Sequence, residues 1–587
     1  MKILTNQLSK INLNNSQDHK IMEPSPYQEA IFKHFRFARR RREAGKSSNL
    51  IVSAVAGSGK STTLRSALLE IVKKHSDARV LVLQFNKHIQ QEMMDKISQA
   101  APHLLQNVEV KTTHSAGLKV LGDNGKGGKV IKNKYYLLAK DIVQENAGML
   151  VNAYREEFKA LSNAEQVRQG LKRATTQLTE ISEYAIMHCN QDPPLEMLMA
   201  ICDIQELDYN TEILQFVPGL LKQAIKALNG RKGLSFGEMI AGPIVTNCKF
   251  PTYDFVLIDE VQDLNPAQLE SAIRFAGPNG IIAAFGDPRQ SIMAFAGAMS
   301  DSTKRYRKGT SARRLPLNIC YRCDNSILDM ARILVPEIES RADCPPGLVQ
   351  VATKADVIQN SRAGDAILCR LTAPLVSTCI ELIKMRKKAY IKGGALGKGM
   401  VDICNTIGIS QPISDFLNGL TVYQEAQAAK ALKEKKSQQQ KALMEEKIEC
   451  IRIIGDFVMQ DNKLLGVGRH VSDMIGALFS DEVPRDSITL STIHRTKGLE
   501  FDRVFIIDFE KMPFQPSWKK EPISKEAYQQ EVNIMYVAMT RAGKELYFQG
   551  AGYTEMTQII NKLHDCADRL RSLNGIPLTP VPKVAIS

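Results

Sequence analysis

Long hydrophobic runs are missing from this chain. None approaches the eighteen or so residues that a membrane-spanning helix needs, and the longest clear apolar runs are strand-length pieces such as Ile281-Ile282-Ala283-Ala284-Phe285. We therefore expect a soluble protein without a membrane partner. The eleven cysteines are an odd number and show no framework spacing. With no signal peptide evident, we expect a reducing cytoplasm (nucleoid or host cytoplasm), a nuclear location being left open. Cys320-x-x-Cys323 has no second pair nearby, which weighs against zinc. The polar run 426–447 lacks sustained apolar heptads, so an exposed helix is expected there rather than a coiled coil. After Tyr547 the sequence continues for 40 residues, and we expect no added nuclease domain there.

What is present suits several globular domains. The chain has 587 residues, 44% hydrophobic and 24% charged, which is too long for one core but ordinary in composition. Its net charge of +14 points toward a polyanionic partner. Residues 1–22 are polar and aperiodic and read as a flexible leader. Pro24-Ser25-Pro26-Tyr27-Gln28 opens an amphipathic helix burying Ile31, Phe32 and Phe35, and the arginine run 39–42 at its end is best read as solvated.

The informative stretch is Ala54-Val55-Ala56-Gly57-Ser58-Gly59-Lys60-Ser61. It follows the apolar strand Leu50-Ile51-Val52-Ser53 and precedes a helical pattern from Thr62, the setting of a phosphate-binding loop. Gly57 and Gly59 let backbone N–H groups turn toward phosphate at a helix N-terminus. Lys60 reaches the β- and γ-phosphates, and the Ser61 hydroxyl is a Mg²⁺ ligand. Further strands follow at 79–83 and 108–111. The segment 121–232 is helix-favouring, with no catalytic cluster, and its His188-Cys189 pair reads as structural.

The buried strand Phe255-Val256-Leu257-Ile258 delivers Asp259 and Glu260 at its carboxyl end. Asp259 is expected to share the Mg²⁺ with Ser61, and Glu260 to orient and deprotonate the attacking water. The strand 281–285 leads to Gln290, placed to sense a γ-phosphate. We expect the first sheet to close near residue 305, and a second set of strands at 313–317, 366–371, 488–491 and 504–508 to build another α/β domain.

With these blocks in order, the chain resembles the UvrD/Rep family of superfamily 1 helicases from about residue 24 to 550. Pro26-Tyr27-Gln28 looks like the family's adenine-reading block, and Phe85-Asn86-Lys87 and Thr113-His114-Ser115 like DNA-contact blocks. Asp259 to Asp263 resembles the carboxylate block, and Gly286 to Gly297 the block joining ATP to DNA. Asn318-Ile319-Cys320-Tyr321-Arg322 resembles the block that supplies a γ-phosphate arginine. Ser491 to Phe501 and Tyr536 to Ala542 are highly specific matches.

The resemblance implies an α/β fold of two RecA-like P-loop parallel-sheet domains, each with a mainly helical insertion. The expected division is 23–120 with 233–305 for the first domain and 121–232 for its insertion. The second domain takes 306–392 with 486–555, a shortened insertion takes 393–485, and 556–587 is a tail. ATP and Mg²⁺ are the implied cofactors. Gln28 and Tyr321 would hold adenine, with Ala56, Gly57, Ser58, Gly59, Lys60, Ser61, Thr62, Gly498 and Glu500 also at the nucleotide. Gln290, Arg322 and Arg541 would meet the γ-phosphate. Phe85, Asn86, Lys87, Thr113, His114, Phe295, Arg370, Thr492 and His494 would contact DNA.

The expected activity is ATP-dependent 3′-to-5′ helicase or translocase action on single-stranded and tailed duplex DNA, in replication, recombination or repair. Recombination, repair or nuclease proteins are the conceivable partners. Alternatives are a translocase that strips proteins from DNA, suggested by the Asn533-Ile534-Met535-Tyr536 wording of the F-box DNA helicase branch, and the ATPase subunit of an antiviral complex. One departure stands out. Ile292-Met293-Ala294-Phe295-Ala296-Gly297 keeps a stacking ring but lacks the family's usual tyrosine and arginine, which would weaken the strand grip.

Overall fold

A computed structural model describes residues 23–84, 95, 107–154, 163–204, 207, 209–292, 302–433, 438–460, 467–482, 484, 486–515 and 523–575. Two parallel sheets organise it. The first contains β1 (Leu50–Ala54), β2 (Val80–Gln84), β3 (Val108–Thr112), β4 (Phe255–Ile258), β5 (Ile281–Gly286) and β6 (Arg313–Leu317), in the order β3-β2-β4-β5-β1-β6. A short parallel pair, β7 (Ile319–Cys320) and β8 (Glu339–Ser340), follows.

The second sheet contains β9 (Leu348–Val351), β10 (Ala366–Cys369), β11 (Ala389–Lys392), β12 (Phe479–Ser480), β13 (Ile488–Thr492), β14 (Phe501–Ile506) and β15 (Ala542–Phe548). Its order is β12-β11-β13-β10-β14-β15-β9, again parallel throughout.

Strand composition explains this. Successive strand residues face opposite sides, and a parallel sheet covered on both faces needs apolar residues at every position. In β1, Leu50, Val52 and Ala54 pack into one core while Ile51 packs into the other. In β10, Ala366 and Leu368 face one core, and Ile367 and Cys369 the opposite one. Crossover helices cover both faces, which leaves the strand carboxyl ends open for chemistry.

Three expectations need correcting. Residues 313–317 belong to the first sheet, not the second: β6 pairs in register with β1, from Leu50↔Arg313 to Ala54↔Leu317. The strand signal was sound, but local sequence cannot say which sheet a strand joins. The tail is no appendage over its described part, because Met556–Leu573 is a helix burying Ile559, Leu563, Cys566 and Leu570 in the core of the second sheet. The polar run 426–447 falls on two helices, Ile413–Lys433 and Gln438–Gln460, which pack together. Buried Phe416, Leu420, Ile451 and Ile454, outside the polar run, supply the contact, so two helices replace the one expected, and the described residues of the run itself are exposed or half-buried.

The described part of 121–232 is helical, with its own core around Tyr135, Leu150, Tyr154, Leu178 and Leu221. A buried ion pair fastens it to the helix Phe236–Val245 that follows it. Lys134 Nζ donates to both Glu238 oxygens at 2.7 and 2.8 Å and to the carbonyls of Ala224 and Gly233 at 2.9 and 3.0 Å. Burial pushes the Lys134 pKa down and that of Glu238 up, so the pair sets orientation more than it adds stability. Among the described residues, no helix is long and apolar enough to cross a membrane.

Candidate nucleotide site between the two sheets

β1 runs into the phosphate loop, and a helix, Lys60–Lys74, starts where the loop ends. Gly57 and Gly59 adopt φ of 64° and 71°, left-handed conformations that side-chain-bearing residues rarely take. Gly57 has a second constraint. A Cβ there would lie 2.8 Å from Cys320 Sγ and 2.7 Å from Arg322 Cβ, so the loop fits closely against the end of β7 and the residues that follow it. Tyr321 N–H donates to the Gly57 carbonyl at 2.9 Å, and Ala56 N–H donates to the Tyr536 hydroxyl at 2.9 Å.

The carboxyl end of β4 brings Asp259 and Glu260 opposite this loop. Glu260 sits at φ 53°, a costly conformation for a side-chain-bearing residue, which aims its carboxylate at Lys60 in an ion pair. Burial favours the neutral acid at Glu260, but the Lys60 ammonium, followed by Lys497, overrides it and holds the pKa at about 2. Asp259 is 2% exposed and accepts the Glu260 N–H at 3.0 Å. Burial, then the adjacent Glu260 charge, pushes its pKa up to about 6.

Polar bridges tie the two sheets together here. Asp287, at the end of β5, accepts from Gln290 Nε2 at 2.7 Å, and Gln290 Oε1 accepts from Arg541 Nη2 at 3.4 Å. Arg541 is 1% exposed and also donates to the carbonyls of Val537 and Leu499 at 3.1 and 3.0 Å. Burial and the nearby Arg322 guanidinium lower its pKa to about 10, which leaves it charged at neutral pH. Arg322 donates to Glu500 at 2.7 Å and to the Thr540 carbonyl at 3.0 Å. Lys497 reaches Asp263 at 2.5 Å and the Gln290 carbonyl at 2.9 Å.

Lys60, Asp259, Glu260, Gln290 and Arg541 thus converge, and Arg322 flanks Gly57 with Glu500 as its partner. Gly498 takes φ 86° between Lys497 and Glu500. Ser61 and Thr62 open the helix after the loop and are exposed, while the Ser58 hydroxyl is buried without a hydrogen-bond partner. Gln28 lies at the same edge, with its Nε2 donating to Thr63 Oγ1 at 3.0 Å.

The expected DNA contacts are more dispersed. Thr113 is buried and accepts from Gln268 at 3.0 Å, so its hydroxyl faces the protein interior. His114 lies edge-on to Phe236, with ring centroids 6.4 Å apart. Thr492 ends β13 and Arg370 follows β10, placing both at the carboxyl edge of the second sheet. Arg370 is held by Glu531 through contacts of 2.7 and 3.0 Å, and its guanidinium lies 5.1 Å from the Phe514 ring centroid. Burial, then Arg370 and Arg495, takes the His494 pKa down to about 3. Phe85, Asn86, Lys87 and Phe295 lie outside the described residues, as do Met293 and Ala296.

Several site residues were not singled out from sequence. Tyr536 and Lys497 lie inside the recognised blocks, so position in the motif was the available signal. Asn533 donates to the Ser291 carbonyl at 3.0 Å and Gln262 to Glu260 at 2.5 Å; their roles emerge only when the strands assemble.

Comparison with known proteins agrees with this arrangement. The family described as UvrD/REP helicase N-terminal domain matches residues 38–309. A probable DNA helicase II homolog of Mycoplasma pneumoniae is 23% identical over 86% of this chain and 82% of its own length. DNA helicase II of Haemophilus influenzae is 24% identical over 51% of this chain and 40% of its own length. The arterivirus helicase nonstructural protein 10 aligns at TM-score 0.31 and 10% identity, covering 91% of this chain and 64% of that one, a likeness too low to bear on the fold. The phosphate loop, the carboxylate pair and these sequence matches together support a UvrD-like superfamily 1 helicase, an ATP-dependent DNA helicase whose residues 38–309 match the family's N-terminal domain.

Proposed function

We propose that this chain moves 3′-to-5′ along single-stranded DNA, separating strands at a tailed duplex, by hydrolysing ATP between its two parallel sheets. The observation that carries the reading is the convergence of groups from both sheets on one phosphate loop. Lys60, Asp259 and Glu260 come from the first, and Arg322 and Arg541 from the second. Hydrolysis then depends on the sheets being together, and a cleft that tightens and loosens with the nucleotide drives stepping. We take 23–120 with 233–317 as the first domain and 318–392 with 486–575 as the second, with insertions at 121–232 and 393–485.

Lys60 is shared. A γ-phosphate arriving at the loop competes with Glu260 for its ammonium, and a Glu260 released from that pair stays half-buried, so its basicity rises as it takes the proton of the attacking water. Gln290 orients that water or the phosphate, and Arg322 and Arg541 offset the charge that develops during transfer. The residues fit Mg²⁺: Ser61 and Asp259 offer hard oxygen ligands beside the loop, and Asp259 is a buried carboxylate with a surplus of negative neighbours. The ion would supply charge neutralisation at the phosphates. Gln28 and Tyr321 take the adenine side, with Ala56 to Thr62, Gly498 and Glu500 around the nucleotide.

For the strand we propose Thr492, His494 and Arg370 on the second domain. His114 with Phe85, Asn86, Lys87 and Phe295 would serve the first, and Thr113 would support them from the interior. Repair, recombination or nuclease proteins are the partners such a motor would serve. The test compares strand separation on 3′-tailed, 5′-tailed and blunt duplexes. We expect unwinding of the 3′-tailed substrate only, and preference for the 5′ tail would overturn the polarity.

A further inference from the structure

None of the eleven cysteines is in a disulfide, and most are buried in apolar cores. Three gather at one place. Cys320 and Cys323 are both fully buried, and Cys344 donates from a neighbouring loop to the Cys323 carbonyl at 3.5 Å. Cys323 N–H points at Cys320 Sγ at 3.5 Å, and the Cys323 thiol donates to the Thr540 carbonyl at 3.9 Å. The adjacent Cys323 thiol, opposed by burial and helped by the backbone N–H groups of Cys323 and Arg322, brings the Cys320 pKa down to about 6, while Cys323 moves upward. One thiolate beside one thiol is the arrangement of a dithiol ready for exchange. Among the described residues, no group of three or more His, Cys, Asp or Glu could hold a metal, so the pair lacks the partners zinc requires.

Location gives the pair a consequence. Cys320 Sγ packs against Gly57 of the phosphate loop, and the two residues between the cysteines are Tyr321, bonded to the Gly57 carbonyl, and Arg322. We propose that Cys320 and Cys323 form a reversible disulfide that withdraws Tyr321 and Arg322 from the nucleotide and halts ATP hydrolysis, an inference that rests on the nucleotide-site reading above. The Cys320 thiolate attacks a low-molecular-weight disulfide such as oxidised glutathione, whose S–S bond breaks to release one glutathione thiolate. Cys323 then loses its proton and attacks Cys320 sulfur, forming the protein disulfide and expelling the second glutathione. Two protein thiols are thereby oxidised by two electrons, one glutathione disulfide is reduced to two thiols, and the released thiolates take up the protons. A bonded pair must close to about 2.05 Å, which draws Cys320 off Gly57 and shortens the turn. Because both sulfurs lie where the sheets meet, exchange requires the cleft to open, and bound nucleotide slows it.

The full-length reduced protein, incubated with oxidised glutathione with and without a non-hydrolysable ATP analogue, tests this. Thiols are mapped by alkylation and peptide mass spectrometry while DNA-stimulated ATPase is followed. We expect the Cys320–Cys323 peptide to lose two hydrogens in mass and ATPase to fall by about tenfold or more. Dithiothreitol should restore both, the analogue should slow both, and Cys320→Ser, which lacks the attacking thiolate, should keep its ATPase under oxidation. A peptide that stays reduced, a bridge from Cys323 to Cys344, a disulfide that leaves ATPase unchanged, or equal inhibition of Cys320→Ser would each overturn the proposal. Mapping of the unmutated protein decides the matter even where the variant fails to fold. Absence of ATPase in the reduced protein would instead count against the nucleotide-site reading.

Discussion

Glu260 combines three pressures that rarely coincide: a left-handed backbone, partial burial, and an ion pair with the lysine of a phosphate loop. Backbone strain of this kind costs about 1–3 kcal/mol and persists where the surroundings enforce a geometry that function uses. We predict that Glu260→Gln keeps ATP binding but lowers kcat about 10²- to 10⁴-fold, the usual contribution of a positioned general base; an ATPase assay beside nucleotide titration checks this. His494 gives a pH signature. Its pKa, about 3 in the folded protein against 6.5 ordinarily, means that the unfolded chain binds more protons there between those values. Stability from this residue is therefore full above pH 6.5 and is lost as pH falls toward 3. Between pH 7.5 and 5.5 we expect the wild type to lose about 2–4 °C more in melting temperature than His494→Asn, measured by calorimetry.

Among the elements, the helix Met556–Leu573 departs most from its sequence expectation. Its Ile559, Leu563, Cys566 and Leu570 recur at helical spacing and are buried, so Leu563→Ala is predicted to destabilise the protein by about 2–5 kcal/mol. Chemical denaturation would show this, and a near-neutral change would return the helix to the status of a tail. Most strands and the phosphate loop were legible because each is defined locally, by continuous apolar runs such as Phe255–Ile258 and by glycines at fixed offsets. Sheet membership was not. Arg313–Leu317 has a strand's composition in either domain, and only pairing with β1 decides. The strand end that carries Asp259 and Glu260 was legible for the same local reason, whereas the Asp287–Gln290–Arg541 bridge joins positions about 250 apart and is visible only in the assembled cleft. The inward turn of Thr113 likewise depends on Gln268, from a helix far along the chain.

Taken whole, the molecule is two parallel sheets that share apolar contacts across a polar cleft. Val55, Ala56 and Ile292 of the first domain pack in the same core as Cys320, Met535 and Val537 of the second. Above that core, Lys497 and Arg541 reach across to Asp263 and Gln290. Under the proposed function, ATP hydrolysis would depend on the meeting of the sheets, which a motor needs if each turnover is to move one domain against the other. The central claim is therefore that the second domain completes the active site of the first. The most direct measurement is DNA-stimulated ATP hydrolysis by Arg541→Ala, with nucleotide affinity measured in parallel. The account predicts kcat lower by about 10³-fold or more with ATP still bound, as for loss of an arginine that stabilises phosphoryl transfer. Hydrolysis at the wild-type rate would contradict it.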